Sequence, residues 1–387
     1  MFNPRTNWPT SPSKLSSRLK QLRREGAYVL DLTESNPTRC DFVYDVDAIR
    51  AALAGHQVIE YDPQPKGMRT AREAVAAYYE ERGTPIPTDR ILLTSGSSEA
   101  YAHCFRMLCE PGDEILAPQP SYPLFEFLAD ITGVELKHYP LFYDNGWSID
   151  FDALKAAITP RTKAILVVTP NNPTGQILQP QERDKLSRLA MMRELAIISD
   201  EVFLDFLWDE DARASTFDPR SQALTLTISG ISKISALPQM KLGWVTVRGP
   251  VGVDADAVAR LEVMTDTFLS VSTPTQVAAR TLLEARKRMQ PQVLDRIREN
   301  LDFLDAKLSG RTPLTRLKAD GGWYAVLRGP ASMPDEERAL DLLDRAGVHV
   351  HPGELFGFDR PGHLVISLIT PHDLFREGVG RIVEFVE

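Results

Sequence analysis

Residues 162–175, Thr-Lys-Ala-Ile-Leu-Val-Val-Thr-Pro-Asn-Asn-Pro-Thr-Gly, are the stretch on which the fold turns. The apolar run Ala164–Val168 is too short for a helix and is closed by Pro, Asn and Gly. Such a run reads as a strand buried on both faces, which is the signature of a parallel sheet covered by helices. Working outward, runs of the same kind recur as ILLT (91–94), EILAP (114–118), VELKHYP (134–140), LAIISD (195–200), ALTLTIS (223–229) and LGWVTV (242–247). Between them lie amphipathic stretches: SSEAYAHCFRMLCE (97–110), SYPLFEFLADI (121–131) and QERDKLSRLAMMRE (181–194). This alternation predicts an α/β fold with a largely parallel sheet and helices on both faces.

At 387 residues the chain exceeds the roughly 250–300 residues that one hydrophobic core serves, so two domains sharing a cleft are expected. The texture changes after a long polar helical pattern near 274–298. A strand GGWYAVLR (321–328), a helix EERALDLLDRAG (336–347) and a strand HLVISLI (363–369) then predict a smaller α+β domain. The expected division is an N-terminal arm and joining segment over 1–45, a large domain over 46–284 and a small domain over 285–387. The first dozen residues, rich in Pro, Ser, Thr and Asn, suit an extended arm of the kind that reaches a neighbouring subunit.

Composition excludes several classes. A formal net charge of −9 does not suit a nucleic-acid partner, whose phosphates need a basic surface. No apolar run approaches the ~18 residues that cross a bilayer, and the N-terminus has no apolar signal core, so no membrane partner is expected. Cys40, Cys104 and Cys109 are too few and too irregularly spaced for a disulfide framework or a zinc site. A soluble cytoplasmic chain without a metal follows as the expectation.

In open parallel sheets ligands bind where strands end at their carboxyl side. Four runs lead into loaded sequence there: ILLT into Ser95-Gly96-Ser97-Ser98, AILVVTP into Asn171-Asn172-Pro173-Thr174-Gly175, LAIIS into Asp200, and LTLTIS into Gly230-Ile231-Ser232-Lys233. Ser95-Gly96-Ser97 opens a helical stretch, where free N–H groups and the helix dipole favour an anion; an ordinary N-cap explains the same residues. Asp200 alone reads equally as a turn residue, and Lys233 alone as a solvated lysine.

Taken in order along the chain, YDPQPKGMRTAREAVAAYY, TSGSSEA, PSYPLFE, NNPTG, SDEVF, SKISALPQMKLGW, GGWY and HPGELFG resemble the class I/II aminotransferases of the fold-type I pyridoxal-phosphate enzymes. The resemblance implies that Lys233 carries the cofactor as a Schiff base and later moves a proton, and that Asp200 sits against the pyridine nitrogen. It implies that Asn172 bonds the ring oxygen and Tyr122 stacks on the ring. It places the phosphate on Ser95, Gly96, Ser97, Ser232 and Lys241, with Tyr61 supplied by the partner of a homodimer. Substrates would be an amino donor and a carbonyl acceptor.

Departures from that pattern are as informative. Phe203 stands where many relatives have a tyrosine whose hydroxyl bonds the ring oxygen. Lys241 replaces an arginine, exchanging a bidentate fork for a point charge, and Gly230 replaces a phosphate-binding serine. Val365 stands where most relatives clamp the substrate α-carboxylate with arginine. Arg39, in LTESNPTRCDF (32–42), is the candidate substitute if the turn at Ser35-Asn36-Pro37 aims it inward, with Ser35 and Asn172 as further substrate-binding candidates; an ordinary solvated loop arginine explains the same residue. The leading function is amino-group transfer between an amino acid and an oxo acid. Lyase, decarboxylase or cyclase chemistry on the same fold, and a non-catalytic cofactor-sensing module, stand as alternatives.

Overall fold

The computed structural model describes residues 1–209, 221–310 and 312–386. Its strands are β1 (Leu30–Asp31), β2 (Ile91–Thr94), β3 (Glu114–Gln119), β4 (Glu135–Tyr143), β5 (Trp147–Ile149), β6 (Thr162–Val168) and β7 (Ala196–Asp200). These are followed by β8 (Thr225–Gly230), β9 (Gly243–Arg248), β10 (Thr315–Arg316), β11 (Tyr324–Arg328), β12 (Val348–His349), β13 (His351–Pro352) and β14 (His363–Ser367). Each apolar run singled out in the sequence is a strand.

The large sheet has the order β2-β9-β8-β7-β6-β3-β4-β5. Strands β8, β7, β6, β3 and β4 are mutually parallel, while β9 runs antiparallel to both its neighbours and β5 antiparallel to β4. Every residue of β2, β7 and β8 is buried, which is why these segments read as continuous apolar runs rather than alternating ones. One face packs against the helix Ser97–Leu108 through Ala100, Cys104 and Phe105, with Ile115, Leu166 and Ile198 beneath. The other face joins Leu116, Ile165 and Ile197 to a second core.

The topology has a direct consequence for function. Because β9 reverses twice over, β2 runs parallel to β8, so the carboxyl ends of β2, β8, β7, β6 and β3 share one edge with the start of β9. Along that edge the chain presents, in order, Ser95, Lys241, Lys233, Asp200, Asn172 and Tyr122.

A smaller antiparallel sheet, β10-β11-β14-β13, lies against this edge. The N-terminal segment joins it: β1 pairs in parallel with β12, and Leu32 accepts from the Ser367 N–H at 2.7 Å. The polar helical pattern expected near 274–298 is three helices, Thr273–Val277, Ala279–Glu284 and Arg286–Leu308. The break before Arg286 coincides with its guanidinium donating to the Leu283 carbonyl, a helix-end acceptor. The arm lies along its own chain: Trp8 donates to Asp130 at 2.6 Å and meets Phe127 edge-on.

Asn300, fully buried on the long helix, ties the small sheet's last turn together. Its amide donates to the carbonyls of Leu368 and Thr370, both at 2.9 Å, and its oxygen meets His372 Nδ1 at 2.9 Å. Asn300→Ala strands two buried carbonyls and is expected to cost about 2–3 kcal/mol. Urea unfolding should show a lower midpoint with an unchanged slope; an unmoved midpoint would mean that this amide does not support the fold.

Candidate active site

Asp200 ends β7 and Lys233 follows β8, its immediate neighbour in the sheet, so strand pairing alone brings an acid and an amine side by side. Asp200 is buried, and burial, the largest cause, raises its pKa to about 6. Two bonds work against that rise. The Tyr101 hydroxyl donates to Oδ2 at 2.6 Å, and the Val202 N–H donates to Oδ1 at 2.9 Å. Lys233 shows the mirror effect: burial lowers its pKa to about 8, against an opposing pull from Asp200. Its ammonium sits over the Trp323 ring at 4.8 Å and the Phe203 ring at 5.4 Å.

The Asn171–Gly175 turn is held by its first asparagine. Asn171 accepts from the Ser121 hydroxyl (2.8 Å) and donates to the Pro120 carbonyl (3.1 Å) and to Thr174 Oγ1 (2.8 Å). This links the turn to the loop that carries Tyr122. Gly175, at φ +66°, leaves no room for a side chain: a Cβ would lie 2.6 Å from the Gly321 carbonyl oxygen and 2.6 Å from Ala319 Cβ. The turn is thereby pressed on the segment that leads into Trp323 and Tyr324. Asn172, on this frame, is buried with an Oδ1 that has no hydrogen-bond partner. Tyr122 stands near enough to Asp200 to feel its charge and packs edge-on against Phe125.

The anion end is built by close backbone contact. A Cβ on Gly243 would come within 2.9 Å of the Gly96 backbone, and one on Gly230 within 2.9 Å of Gly243. Gly230 thus serves as a contact between β8 and β9 where a serine hydroxyl was the alternative. Gly96 precedes the helix Ser97–Leu108, and its Cβ position lies 3.3 Å from Lys241 Nζ, so the lysine reaches the helix N-terminus. Glu99 accepts from the Ser95 N–H (2.7 Å) and from the Ser270 hydroxyl (2.6 Å), fixing the outer side of this loop. Ser232 lies in the same short turn as Lys233.

Two residues stand apart. Tyr61 is 81% exposed and lines a shallow recess with Leu93, Leu269 and Ser270, on the outer side of the Ser95 loop. Arg39 follows the plainer of its two readings, a solvated loop arginine. Asn36 caps the Pro37–Arg39 turn through the Thr38 N–H, and the Arg39 guanidinium is 73% exposed, 3.8 Å from Glu34. Val365 is fully buried, directly opposite Val326 in the small sheet.

Sequence reasoning missed Tyr101, Trp323 and Tyr324 as parts of the site. Tyr101 follows Ser97 by four residues, the spacing that puts both on one helix face, and this signal was available. Trp323 and Tyr324 lie in a motif that gives no hint of which way the rings point. Among the described residues no group of three or more His, Cys, Asp or Glu gathers as a metal site.

These residues fit pyridoxal phosphate. The orphaned Asn172 amide awaits a polar partner, the buried Asp200 awaits a cation, Lys233 is an amine of lowered basicity, and Lys241 with the helix N-terminus awaits an anion.

A sequence profile described as "Aminotransferase class I and II" matches residues 29–382. Alanine aminotransferase of Mycobacterium tuberculosis is 28% identical over 363 residues, spanning 92% of this chain and 85% of that protein. Glutamate-pyruvate aminotransferase AlaA of Escherichia coli is 25% identical over 374 residues, spanning 95% and 92%. The solved structure of alanine aminotransferase from Pyrococcus furiosus superposes with a TM-score of 0.89 at 25% identity, covering 100% of this chain and 99% of that one. Family profile, relatives matched over most of their length and a shared fold point the same way, and the chain belongs to the class I and II aminotransferases, pyridoxal-phosphate-dependent enzymes that transfer amino groups.

Proposed function

We propose that amino transfer runs on Lys233 as the cofactor-bearing amine and proton carrier and on Asp200 as the partner of the ring nitrogen, with an amino acid as donor and an oxo acid as acceptor. The observation that carries this reading is the burial of Lys233 beside Asp200 at the ends of adjacent strands. Bound pyridoxal phosphate supplies an aldehyde that captures amines and a ring that takes up the electron pair released at the substrate Cα. Lys233, with its pKa lowered to about 8, keeps a minor neutral fraction at physiological pH that can both attack a carbonyl and accept a proton. Asp200, held anionic by Tyr101 and the Val202 N–H, keeps a proton on the ring nitrogen. Trp323 and Phe203 cover the Lys233 ammonium and exclude water from it. Lys241, Gly96, the Ser95 and Ser97 hydroxyls and Ser232 hold the phosphate.

Relatives named for alanine and for glutamate-pyruvate support small amino acids as donors. With Val365 apolar and Arg39 turned outward, the neutral side chains of Ser35 and Asn172 are the candidates for holding a substrate carboxylate. A homodimer is supported by Ile59, Tyr61, Val263 and Phe268, large apolar side chains left exposed around the recess and its helix, with Tyr61 serving the partner's phosphate site. Three free cysteines are in keeping with a cytoplasmic setting.

Borohydride should fix the cofactor on the peptide that contains Lys233, as read by mass spectrometry, and Lys233→Ala should trap none; covalent trapping in that variant would remove Lys233 from its role. Asp200→Ala should retain bound cofactor while its turnover with alanine and an oxo acid falls by about 100-fold or more. Turnover within threefold of the native enzyme would take Asp200 out of the mechanism.

The pH dependence follows from burial of the lysine. Below pH 8 its amine is protonated and inert, so the rate at which cofactor-free protein regains its visible band with added pyridoxal phosphate should climb from pH 7 to 8 and flatten above. A rate still climbing tenfold per pH unit from 8 to 10 would show an amine of ordinary basicity.

A further inference from the structure

Lys233 sits in a short helix, Ile231–Ile234, that ends irregularly. The Ser235 and Leu237 N–H groups both donate to the Ile231 carbonyl, at 3.2 and 3.1 Å, and the Ala236 N–H donates to the Lys233 carbonyl at 3.0 Å. Ala236, fully buried, is left-handed at φ +54°, and Lys241, farther along the same segment, is left-handed at φ +51°. A residue with a side chain adopts that conformation at a cost, so surrounding contacts must hold it. Helix ends also leave carbonyls without partners. Three side chains from distant elements fill them here. Gln290 Nε2 donates to the Ile234 carbonyl at 3.0 Å, the Tyr44 hydroxyl to the Ala236 carbonyl at 2.9 Å, and the Thr275 hydroxyl to the Met240 carbonyl at 3.2 Å.

Gln290 belongs to the long helix Arg286–Leu308, which carries a polar series onward from it. Gln292 clamps Val43, accepting from its N–H at 2.9 Å and donating to its carbonyl at 3.1 Å. Arg296 donates to the carbonyls of Cys40 (3.3 Å) and Ile369 (3.4 Å), and Asn300 to those of Leu368 and Thr370. The spacing 292, 296, 300 puts these three on one helix face, and the helix from 290 to 300 spans about 15 Å. Tyr44 follows the clamped Val43, so the helix reaches the Lys233 segment twice, once through Gln290 and once through Tyr44.

We infer that Gln290 and Tyr44 are positioning residues for Lys233, and that the series ending at Asn300 ties the segment carrying Lys233 to the last turn of the small sheet. This rests on the reading of Lys233 given above. Every partner in the series is a backbone carbonyl or N–H, so a shift of the small sheet is passed to backbone one and three residues beyond Lys233 rather than absorbed by side-chain rotation. A lysine that attaches, detaches and carries protons swings its own side chain between those tasks, and small errors in where it starts cost rate. Its backbone must therefore be fixed.

The first measurement is amide hydrogen exchange of the peptide covering 231–241 in purified holoenzyme, read by mass spectrometry, with the peptide covering 162–168 as reference. Gln290→Met and Tyr44→Phe each remove a donor and keep the bulk; they should speed exchange in the first peptide by about threefold or more and leave the reference unchanged. Gln292→Ala, which touches no atom of the Lys233 segment, should act in the same direction by less. The second measurement uses cofactor-free protein. Pyridoxamine phosphate has an amine in place of the aldehyde and cannot link to Lys233, so its affinity should stay within about twofold in Gln290→Met and Tyr44→Phe, while the rate of linkage to pyridoxal phosphate falls by about three- to tenfold. Unchanged exchange in Gln290→Met and Tyr44→Phe overturns the positioning role, as does a loss of pyridoxamine phosphate affinity equal to the loss of linkage rate, which is what a merely structural role would give. Unchanged exchange in Gln292→Ala overturns the tie to the small sheet. If Gln290→Met does not fold, Tyr44→Phe, which loses a single oxygen, decides by the same two readouts. Failure of the Lys233 reading is separately visible, since exchange in the segment would still respond while native protein formed no borohydride-fixed link at Lys233.

Discussion

The rest of the structure depends on one constraint: a carboxylate and an amine must be kept out of water within one cleft without either being lost to neutrality or to a simple ion pair. Burial alone drives the two groups toward their uncharged forms, Asp200 upward to about 6 and Lys233 downward to about 8. The two are unequally supported. Asp200 receives an O–H and an N–H donor, whereas Lys233 has aromatic faces over its ammonium and no hydrogen bond of comparable quality. The carboxylate is therefore fixed in place and the amine is left free to react. That asymmetry suits the proposed roles, in which the acid stays put while the amine attaches, detaches and carries protons.

Much of the remaining architecture serves this pair. The double reversal at β9 brings Lys241 and Ser95 to the same edge as Lys233, and glycines at 230 and 243 let three backbones approach where a side chain would collide. On the opposite side, Asn171 spends its hydrogen bonds on the loop before Tyr122 and on its own turn, which leaves Asn172 free to face the cleft. The small sheet contributes Trp323 and Tyr324 rather than a cation, and Val365 beside them is packed as core. The cleft is thus cationic at its Lys241 end and aromatic and apolar on the side of the small sheet.

Sequence by itself determined the sheet and, through the resemblance of its motifs, the family. Runs such as AILVV and LAIIS have no polar position to turn toward water, so they can only be strands covered on both faces, and the residues that follow them must fall at the sheet's carboxyl edge. Strand position alone left Lys233, Asp200 and Asn172 ordinary; the resemblance of the motifs singled them out, together with the departures at Phe203 and Val365. Tertiary structure decided what depends on side-chain direction and on contacts between distant segments. Tyr101 reaches Asp200 across 99 positions of chain. Trp323 comes to lie over Lys233 from the segment at Ala319–Gly321 that is pressed on the Asn171–Gly175 turn. Arg39 illustrates the limit in the other direction, since its composition and place suited an inward cation and only the Asn36 cap, a local hydrogen bond, turns it to solvent. Periodicity and turn chemistry act over a few residues and are written in the sequence; which groups share a cleft is settled by packing between segments hundreds of residues apart.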